Sequence, residues 1–269
     1  MHPSVEPNPA VRFTVRFEDE HLAVVDKPPG VVTQPGKGHD HDALLNGLFA
    51  RWGARLQNLG ADRDFGLLHR LDKDTSGLVA VGLSPAGYDG LRAQFENRAI
   101  KKFYWCVVAD PPSTTEGVIK RPLIEYTARD PHDPRKSLKL ARVSGAGKPA
   151  VTAFRVLQTS PLGTLLECRP LTGRLHQVRV HLASIGSPIL GDAFYATPRI
   201  KGLRTRLALH AHRLIAEHPV TAQRLDVRSP FPNDLRALLN RLKLRPPNVP
   251  SDATPAPPEP PHDDPPEPG

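Results

Sequence analysis

The sequence predicts a mixed α+β domain built on a largely antiparallel sheet with flanking helices. Short segments in which apolar and polar residues alternate, such as V-R-F-T-V-R-F at 11–17, are typical of half-buried strands. Other segments carry apolar residues at helical spacing and follow a residue that can cap a helix, as Ser84 does. Strands and helices do not succeed one another as a regular βαβ series, which disfavours a parallel sheet.

The first half of the chain contains three predicted strands and two predicted helices. Residues 11–17 and 22–25 form the first two strands, and K-P-P-G at 27–30 ends the second in a turn. Asp42 is placed to cap a helix through A-L-L-N-G-L-F-A-R-W. A buried strand at 78–83 precedes Ser84, which caps a helix with Leu91 and Phe95 on one face.

The second half continues the same mixture of elements. In chain order we predict a strand at 102–108, a polar and basic hairpin or loop at 125–149, paired strands at 151–157 and 164–168, a helix through His176, Val180 and Ala183, a strand at 207–214 and a last helix at 232–242. Residues 1–11 are polar and proline-rich, and we expect them to be disordered. We expect one folded domain at 12–245 and an extended, proline-rich acidic tail at 246–269.

Composition excludes several classes of protein. The chain has 269 residues, of which 39% are hydrophobic and 24% charged, as in ordinary globular domains. Its apolar runs fall far short of the roughly 20 residues of a membrane helix, and its N-terminus does not resemble a signal peptide. Cys106 and Cys168 lie in apolar runs without disulfide or zinc spacing, so we expect a cytoplasmic protein. Nothing in the sequence indicates an obligate interface, so we also expect a monomer.

The charge of the chain points to a polyanionic partner. The net charge is +8, but residues 246–269 hold five acidic residues and no lysine or arginine. Without those five negative charges the rest of the chain carries about +13. Such an excess is typical of proteins that bind nucleic acid, although it also serves solubility.

A dense polar cluster, L-H-R-L-D-K-D-T-S-G at 68–77, lies between apolar runs. Its D-K-D-T fits the pattern of phosphatases that use an aspartate nucleophile and magnesium. Those enzymes need an unbroken apolar strand before the motif, and His69 and Arg70 interrupt it here. H-R-L-D differs from the H-R-D order of kinases, and no glycine-rich phosphate loop precedes it. G-H-D-H-D at 38–42 could hold a metal, but a solvated loop before a helix is commoner.

A second polar cluster is T-G-R-L-H-Q-V-R-V-H at 172–181. Arg179 stands between two valines, which indicates partial burial, and a buried guanidinium needs a carboxylate partner. Asp72 and Asp74 in the first cluster can supply one over a long range. A basic helix end that contacts phosphate is the alternative. His210 and His212 share one face of a strand and are expected to have a structural role rather than a metal.

Read together, the clusters resemble the RluA-type RNA pseudouridine synthases. H-R-L-D-K-D-T-S-G is similar to the signature of that family, and the likeness covers residues 12–242 in the family's order. Further matching segments are D-E-H-L-A-V-V-D-K-P-P-G at 19–30, K-K-F-Y at 101–104, T-G-R-L-H-Q-V-R-V-H-L-A from 172, G-S-P-I-L-G-D at 186–192, L-H-A-H-R-L at 209–214 and S-P-F-P at 229–232.

The resemblance implies a pseudouridine synthase fold with a central RNA-binding cleft. It implies isomerisation of uridine to pseudouridine in ribosomal or transfer RNA, without metal or organic cofactor. By this resemblance Asp72 is the catalytic carboxylate, Tyr104 lies against the uracil, and Arg179 pairs with Asp72 and keeps it charged and oriented. Arg70 is expected to enter the RNA stack where the target uridine leaves it.

Other predicted RNA contacts are spread along the chain. They are Lys101, Lys102, Arg174, His176 and the basic segment at 129–148. Many relatives carry an N-terminal S4 RNA-binding module, which we do not expect here because few residues precede the first strand. Asp74 has no counterpart in the signature, and we expect it to be dispensable. A catalytically idle RNA-binding relative is the rival in another class, and such a relative would be expected to lose the aspartate, tyrosine or arginine retained here.

Overall fold

A computed structural model describes residues 5–36, 38–129, 137–197 and 205–247. Within these ranges the helices are α1 (Leu44–Leu59), α2 (Pro85–Glu96), α3 (Gln177–Ser184) and α4 (Asn233–Arg241), with a 3₁₀ segment at Ala61–Gly66. The strands are β1 (Thr14–Glu18), β2 (Leu22–Lys27), β3 (Ser76–Gly82), β4 (Lys101–Val108), β5 (Glu116–Lys120), β6 (Leu123–Arg129), β7 (Ser137–Val143), β8 (Val151–Ser160), β9 (Gly163–Pro170), β10 (Leu209–Glu217) and β11 (Arg224–Arg228).

A central sheet carries nine of the described strands. Eight of them lie in the order β1-β2-β3-β10-β4-β9-β8-β5, and β11 pairs with β10. Every pair is antiparallel except β3 and β10, which run parallel. Strands β6 and β7 form a separate two-stranded sheet, the β6–β7 hairpin. The predicted α+β class with a largely antiparallel sheet is therefore confirmed.

Both faces of the sheet are buried where β2 and β3 run side by side. Ala23 and Val25 pack with α1 on one face, whereas Leu22 and Val24 pack with α2 on the other. This alternation follows from the two-residue period of a strand, which points successive side chains to opposite faces. The two helices thus cover opposite sides of the strands that lead into and out of the first polar cluster.

The helix caps test the sequence predictions directly. Ser84 caps α2 as expected, since its hydroxyl accepts a hydrogen bond from the amide of Gly87 at 3.1 Å. The prediction for Asp42 is wrong. Helix α1 begins after Ala43, whose amide donates to the side chain of Asn46, while the Asp42 carboxylate bonds to His39 instead.

Two short strands, β5 and β11, were not predicted. Each has five residues with charged ends, so its apolar positions are too few to stand out from the neighbouring loops. In the N-terminal segment predicted to be disordered, the described part lies against α1. The amide of Asn8 donates to the carbonyl of Asn46, and Val5 packs on the core. Residues 248–269, most of the predicted tail, lie outside the described residues. No helix in the described ranges is long and apolar enough to cross a membrane.

Candidate active site

The polar cluster of residues 68–77 forms the loop that leads into β3, and its backbone is tied down on both sides of Asp72. The Thr33 hydroxyl bonds to the carbonyl and the amide of Leu71, at 2.8 and 3.1 Å. The carbonyl of Lys73 accepts from the Lys27 ammonium at 3.0 Å and from the amide of Gly30 at 2.8 Å. The segment after β2 therefore holds Asp72 in place through its two chain neighbours.

Gly77 allows the loop to enter the sheet beside β10. Its φ of 120° lies in a region that side chains disfavour, and a Cβ there would stand 2.2 Å from the carbonyl oxygen of Ala211. The backbones of β3 and β10 approach closely at this point, where they pair in parallel. A residue with a side chain at position 77 would therefore force the two strands apart.

Lys27 is a buried lysine that joins the segment after β2 to this loop. Its ammonium donates to the carbonyls of Pro28, Val31 and Lys73, at 2.9, 2.7 and 3.0 Å. Burial lowers the pKa of Lys27 to about 7, against the opposing charges of Asp74 and Asp72. Three donors thus meet three carbonyl acceptors, an arrangement that an apolar side chain cannot replace.

We expect Lys27→Met to lower the free energy of unfolding by about 2 kcal/mol or more at pH 6, where Lys27 is an ammonium, because three buried carbonyls lose their donor. The folded-state pKa near 7 lies below the ordinary value of 10.5, so between these values unfolding takes up a proton. The wild-type protein should therefore gain stability over the variant as pH rises from 7 to 9. Chemical denaturation at the two pH values measures this difference, and a constant difference would contradict the pKa shift.

Arg179 bridges two aspartates at the centre of the site. Its Nη1 donates to the Asp72 carboxylate at 3.0 Å, while its Nε and Nη2 donate to the two carboxylate oxygens of Asp192 at 2.7 and 2.9 Å. Arg179 is 5% exposed and Asp192 1%, whereas the side chain of Asp72 is 23% exposed. Burial raises the pKa of Asp192, but Arg179 outweighs it and the pKa lies below its ordinary range. Asp192 therefore fixes the guanidinium, and Asp72 is the carboxylate that solvent can reach.

The predicted pair of Arg179 with Asp72 is confirmed, but the sequence did not reveal Asp192 as the bidentate partner. Asp192 ends the G-S-P-I-L-G-D segment, and its carboxylate also accepts the amides of Phe194 and Tyr195. The signal in the sequence that could have revealed this partner is the single acidic residue, Asp192, at the end of an otherwise uncharged segment. A buried arginine whose one carboxylate partner is open to solvent is stabilised by a second, buried carboxylate.

Tyr104 lies on β4, close enough to Asp72 for the carboxylate charge to affect its pKa. Tyr104 is 8% exposed, and burial followed by the negative charge of Asp72 raises the pKa of its phenol above the ordinary value. The hydroxyl is therefore protonated at neutral pH. The structure thus brings Asp72, Arg179 and Tyr104 together from three separate parts of the chain.

His176 lies within the same group rather than on the outer surface. Its Nε2 is 3.9 Å from the Asp72 carboxylate, and its Nδ1 is 2.8 Å from the Tyr195 hydroxyl. Burial lowers the pKa of His176, and the charge of Asp72 opposes this only in part. The residue adopts a left-handed backbone with φ of 53°, an unusual conformation outside glycine that often marks functional sites.

The other predicted RNA contacts occupy different surroundings. Arg70 is exposed two residues before Asp72. Lys101 and Lys102 begin β4, and the Lys102 ammonium lies over the Phe95 ring at 5.3 Å, where burial lowers its pKa to about 8. Arg174 is half-buried and donates to the carbonyl of Pro149. Arg70 is thus the most open of the four.

The remaining histidine clusters have partners within the protein. His212 bonds to Glu167 at 2.9 Å and stacks on Trp105, and His210 bonds to Ser76, which supports the structural role expected of both. His39 pairs with Asp42 in the run considered for a metal. In the described ranges no three His, Cys, Asp or Glu side chains form a group that could hold a metal ion.

Comparison with known proteins shows the family to which this chain belongs. Residues 21–184 match the model of a family described as RNA pseudouridylate synthase. Ribosomal large subunit pseudouridine synthase D of Zymomonas mobilis is 36% identical over 87% of this chain and 74% of its own length. The chain belongs to the RNA pseudouridylate synthase family. Within that family, dual-specificity RNA pseudouridine synthase RluA of Escherichia coli is 35% identical over 81% of this chain and 93% of its own length, so the chain is of the RluA type.

A solved structure of an RNA pseudouridylate synthase has the same fold. Human RNA pseudouridylate synthase domain containing 4 superposes with a TM-score of 0.67 at 26% identity, over 87% of this chain and 95% of that protein. The predicted pseudouridine synthase fold is thereby confirmed, and the phosphatase and kinase alternatives are set aside. The activity of the family, isomerisation of uridine to pseudouridine in RNA, is the activity of this chain.

Proposed function

We propose that this enzyme isomerises a flipped uridine in structured RNA and that Asp72 is its catalytic carboxylate. The observation that carries the proposal is the Arg179 bridge, which holds one carboxylate, Asp72, at the solvent-accessible end of an otherwise buried ion-pair group. A nucleophilic carboxylate needs this combination of a fixed orientation, a compensating charge and access to substrate.

The reaction exchanges one glycosidic bond for another. The bond from N1 of uracil to C1′ of ribose breaks, the base rotates, and C5 bonds to C1′. The hydrogen on C5 leaves as a proton and N1 gains one, so the reaction needs no oxidant or reductant. Asp72 promotes the exchange by attacking the sugar or the ring, or by helping to expel the uracil.

Tyr104 is placed to accept the proton from C5 late in the reaction. In the free enzyme the Asp72 charge helps to raise the pKa of the phenol and keeps it protonated. When Asp72 forms a covalent bond, that charge is lost and the phenol becomes easier to ionise, although burial still opposes ionisation. The phenol must first give up its own proton, to the N1 that gains one or to solvent, and the phenolate then accepts the proton from C5.

We expect Tyr104→Phe to allow early steps and to block the last one. RNA should bind normally, while release of tritium from RNA labelled at uridine C5 should fall by roughly 100-fold, in the range of lost general-base catalysis. Rapid-quench experiments that follow altered uridine and tritium release separately measure this. A normal rate of product formation would show that Tyr104 only packs against the base and takes no part in proton transfer.

The RNA-binding surface includes the open end of the site and the β6–β7 hairpin. Arg70 is exposed beside Asp72, where a planar cation can stack in the place of the departing base, whose extrusion costs a few kcal/mol. The hairpin and its base carry exposed cations, and the Arg142 guanidinium lies 5.5 Å from the Tyr126 ring centre. These cations are Lys120, Arg121, Arg129, Lys139, Arg142 and Lys148.

Affinity for RNA should fall steeply with salt, because each phosphate contact releases a counterion. If six phosphates are contacted, the affinity is expected to fall by about 10³-fold between 50 and 200 mM salt. Filter binding at four salt concentrations measures the slope. A salt-independent affinity would contradict the assignment of the basic surface.

The proposed substrates are ribosomal RNA of the large subunit and transfer RNA, the former named for the relative from Zymomonas mobilis. Pseudouridine maps of cellular RNA from strains with and without this protein test the proposal. The expected result is one or a few uridines in structured RNA that lose modification in the deletion strain and regain it with the wild-type gene. Identical maps would contradict it.

A further inference from the structure

Tyr195 joins the β6–β7 hairpin to the active site by two hydrogen bonds. Its hydroxyl oxygen accepts the amide N–H of Ala141 on β7 at 3.0 Å. The same hydroxyl lies 2.8 Å from Nδ1 of His176, the residue before α3. Tyr195 belongs to the A-F-Y-A sequence after Asp192, to which the sequence assigned no role.

The donor and acceptor roles along this chain of contacts are consistent. Nε2 of His176 lies 3.9 Å from the Asp72 carboxylate, whose negative charge favours the tautomer with the ring proton on Nε2. Nδ1 is then an acceptor, and the Tyr195 hydroxyl, which accepts from Ala141, donates its hydrogen to it. The contacts run in one direction from the β7 backbone to the carboxylate.

The backbone around His176 is held to keep this ring in place. The next residue, Gln177, accepts from the Thr172 hydroxyl and the amide of Arg174, and donates to the carbonyl of Val151. These bonds stabilise the left-handed conformation of His176, which otherwise costs about 1–3 kcal/mol. A strained backbone at His176, whose ring faces Asp72, indicates that the orientation of the ring matters for function.

Tyr195 also contacts the other partner of Asp72. The Arg179 guanidinium lies 5.1 Å from the centre of the Tyr195 ring, within the range of a cation–π interaction. One side chain therefore contacts both His176 and Arg179, the two groups beside the Asp72 carboxylate. A shift of Tyr195 would disturb both at once.

On the hairpin side, Ala141 is part of a small apolar cluster with Leu123 and with Val180 of α3. Arg142, one of the exposed cations described above, follows Ala141 on β7 and therefore lies on the opposite face of the hairpin. A displacement of the hairpin on RNA would therefore act on β7, and through the amide of Ala141 on Tyr195.

We propose that Tyr195 and His176 form a positioning relay that transmits the seating of the β6–β7 hairpin on RNA to the orientation of Asp72. Neither residue reacts with the substrate. The proposal rests on the proposed function of Asp72 and adds a reason why catalysis depends on correct engagement of the hairpin. A uridine in RNA that does not seat the hairpin would meet a poorly oriented carboxylate.

The test is Tyr195→Phe, which removes the hydroxyl and keeps the ring. With C5-tritiated cellular RNA from a strain lacking the protein, the single-turnover rate should fall by roughly 10- to 100-fold, as for a small misplacement of a catalytic group. RNA affinity should stay within a few fold. Tyr88→Phe is the matched control, since Tyr88 is a buried tyrosine on α2 whose hydroxyl bonds to Asp64 and Arg92. The Tyr88→Phe variant should keep the full rate even if its melting temperature falls as much as that of Tyr195→Phe.

Substitutions of His176 distinguish a relay from loss of packing. His176→Gln retains an N–H donor and should keep more activity than His176→Leu, which retains none. If the two residues act in series, the double variant Tyr195→Phe with His176→Leu should be no slower than His176→Leu alone. A double variant as slow as the product of both effects, or a Tyr195→Phe variant with the wild-type rate, would overturn the relay. An active Asp72→Asn variant would instead overturn the proposed function on which it rests.

Discussion

Asp72→Asn is expected to lower the rate of pseudouridine formation by at least about 1,000-fold, the scale on which loss of a catalytic nucleophile acts. The amide has nearly the size of the carboxylate, so packing around Arg179 should change little. It carries no negative charge and is a poor nucleophile, so it can neither attack the substrate nor stabilise a developing positive charge. RNA affinity should stay within a few fold, because the basic surface is unchanged.

Asp74→Asn is the matched control, since Asp74 lies two residues away in the same loop, is exposed, and has no assigned role in the site. Single-turnover tritium release measures the rate and filter binding measures the affinity of each variant. Wild-type activity in Asp72→Asn would end the mechanism. Equal losses in both variants would show that charge in the loop, rather than the Asp72 carboxylate, is what matters.

Asp192→Asn is expected to lower the free energy of unfolding by about 3 kcal/mol or more, as when a buried ion pair loses one partner. Arg179 is 5% exposed and would keep only Asp72 as a counter-charge. The guanidinium should then shift toward Asp72 or toward solvent, and it would no longer hold the Asp72 carboxylate in a fixed orientation. The rate of modification should fall as well.

The control for this variant is Asp89→Asn. Asp89 accepts two hydrogen bonds from Arg63, at 2.9 and 3.0 Å, so the geometry matches the pair of Asp192 with Arg179, but the side chain of Asp89 is 55% exposed. Solvent screens such a pair, and its loss should leave the melting temperature nearly unchanged. Thermal and urea unfolding measure both variants. Equal small shifts would show that the buried bridge does not stabilise the fold.

Periodicity predicted most of the elements because burial imposes it locally. The two-residue alternation of β2 and the cap at Ser84 depend on a few neighbouring residues, and both are present in the structure. Asp42 fails as a cap because His39 competes for its carboxylate and Asn46 supplies the amide of Ala43 with an acceptor. The strands β5 and β11 were not predicted because each is short and has charged ends, which leaves few apolar positions to reveal it.

The amino-acid sequence was sufficient to predict the class of fold and the family, and its motifs singled out Asp72, Tyr104 and Arg179 as candidates, since each stands in a motif of several residues. The tertiary structure alone decided that Asp192 fixes Arg179, that Lys27 anchors the loop, and that Tyr195 joins Ala141 to His176. These contacts join residues from 13 to 54 positions apart. Their pairing depends on how the sheet and helices pack, because a buried polar group takes whichever partner the fold brings within reach.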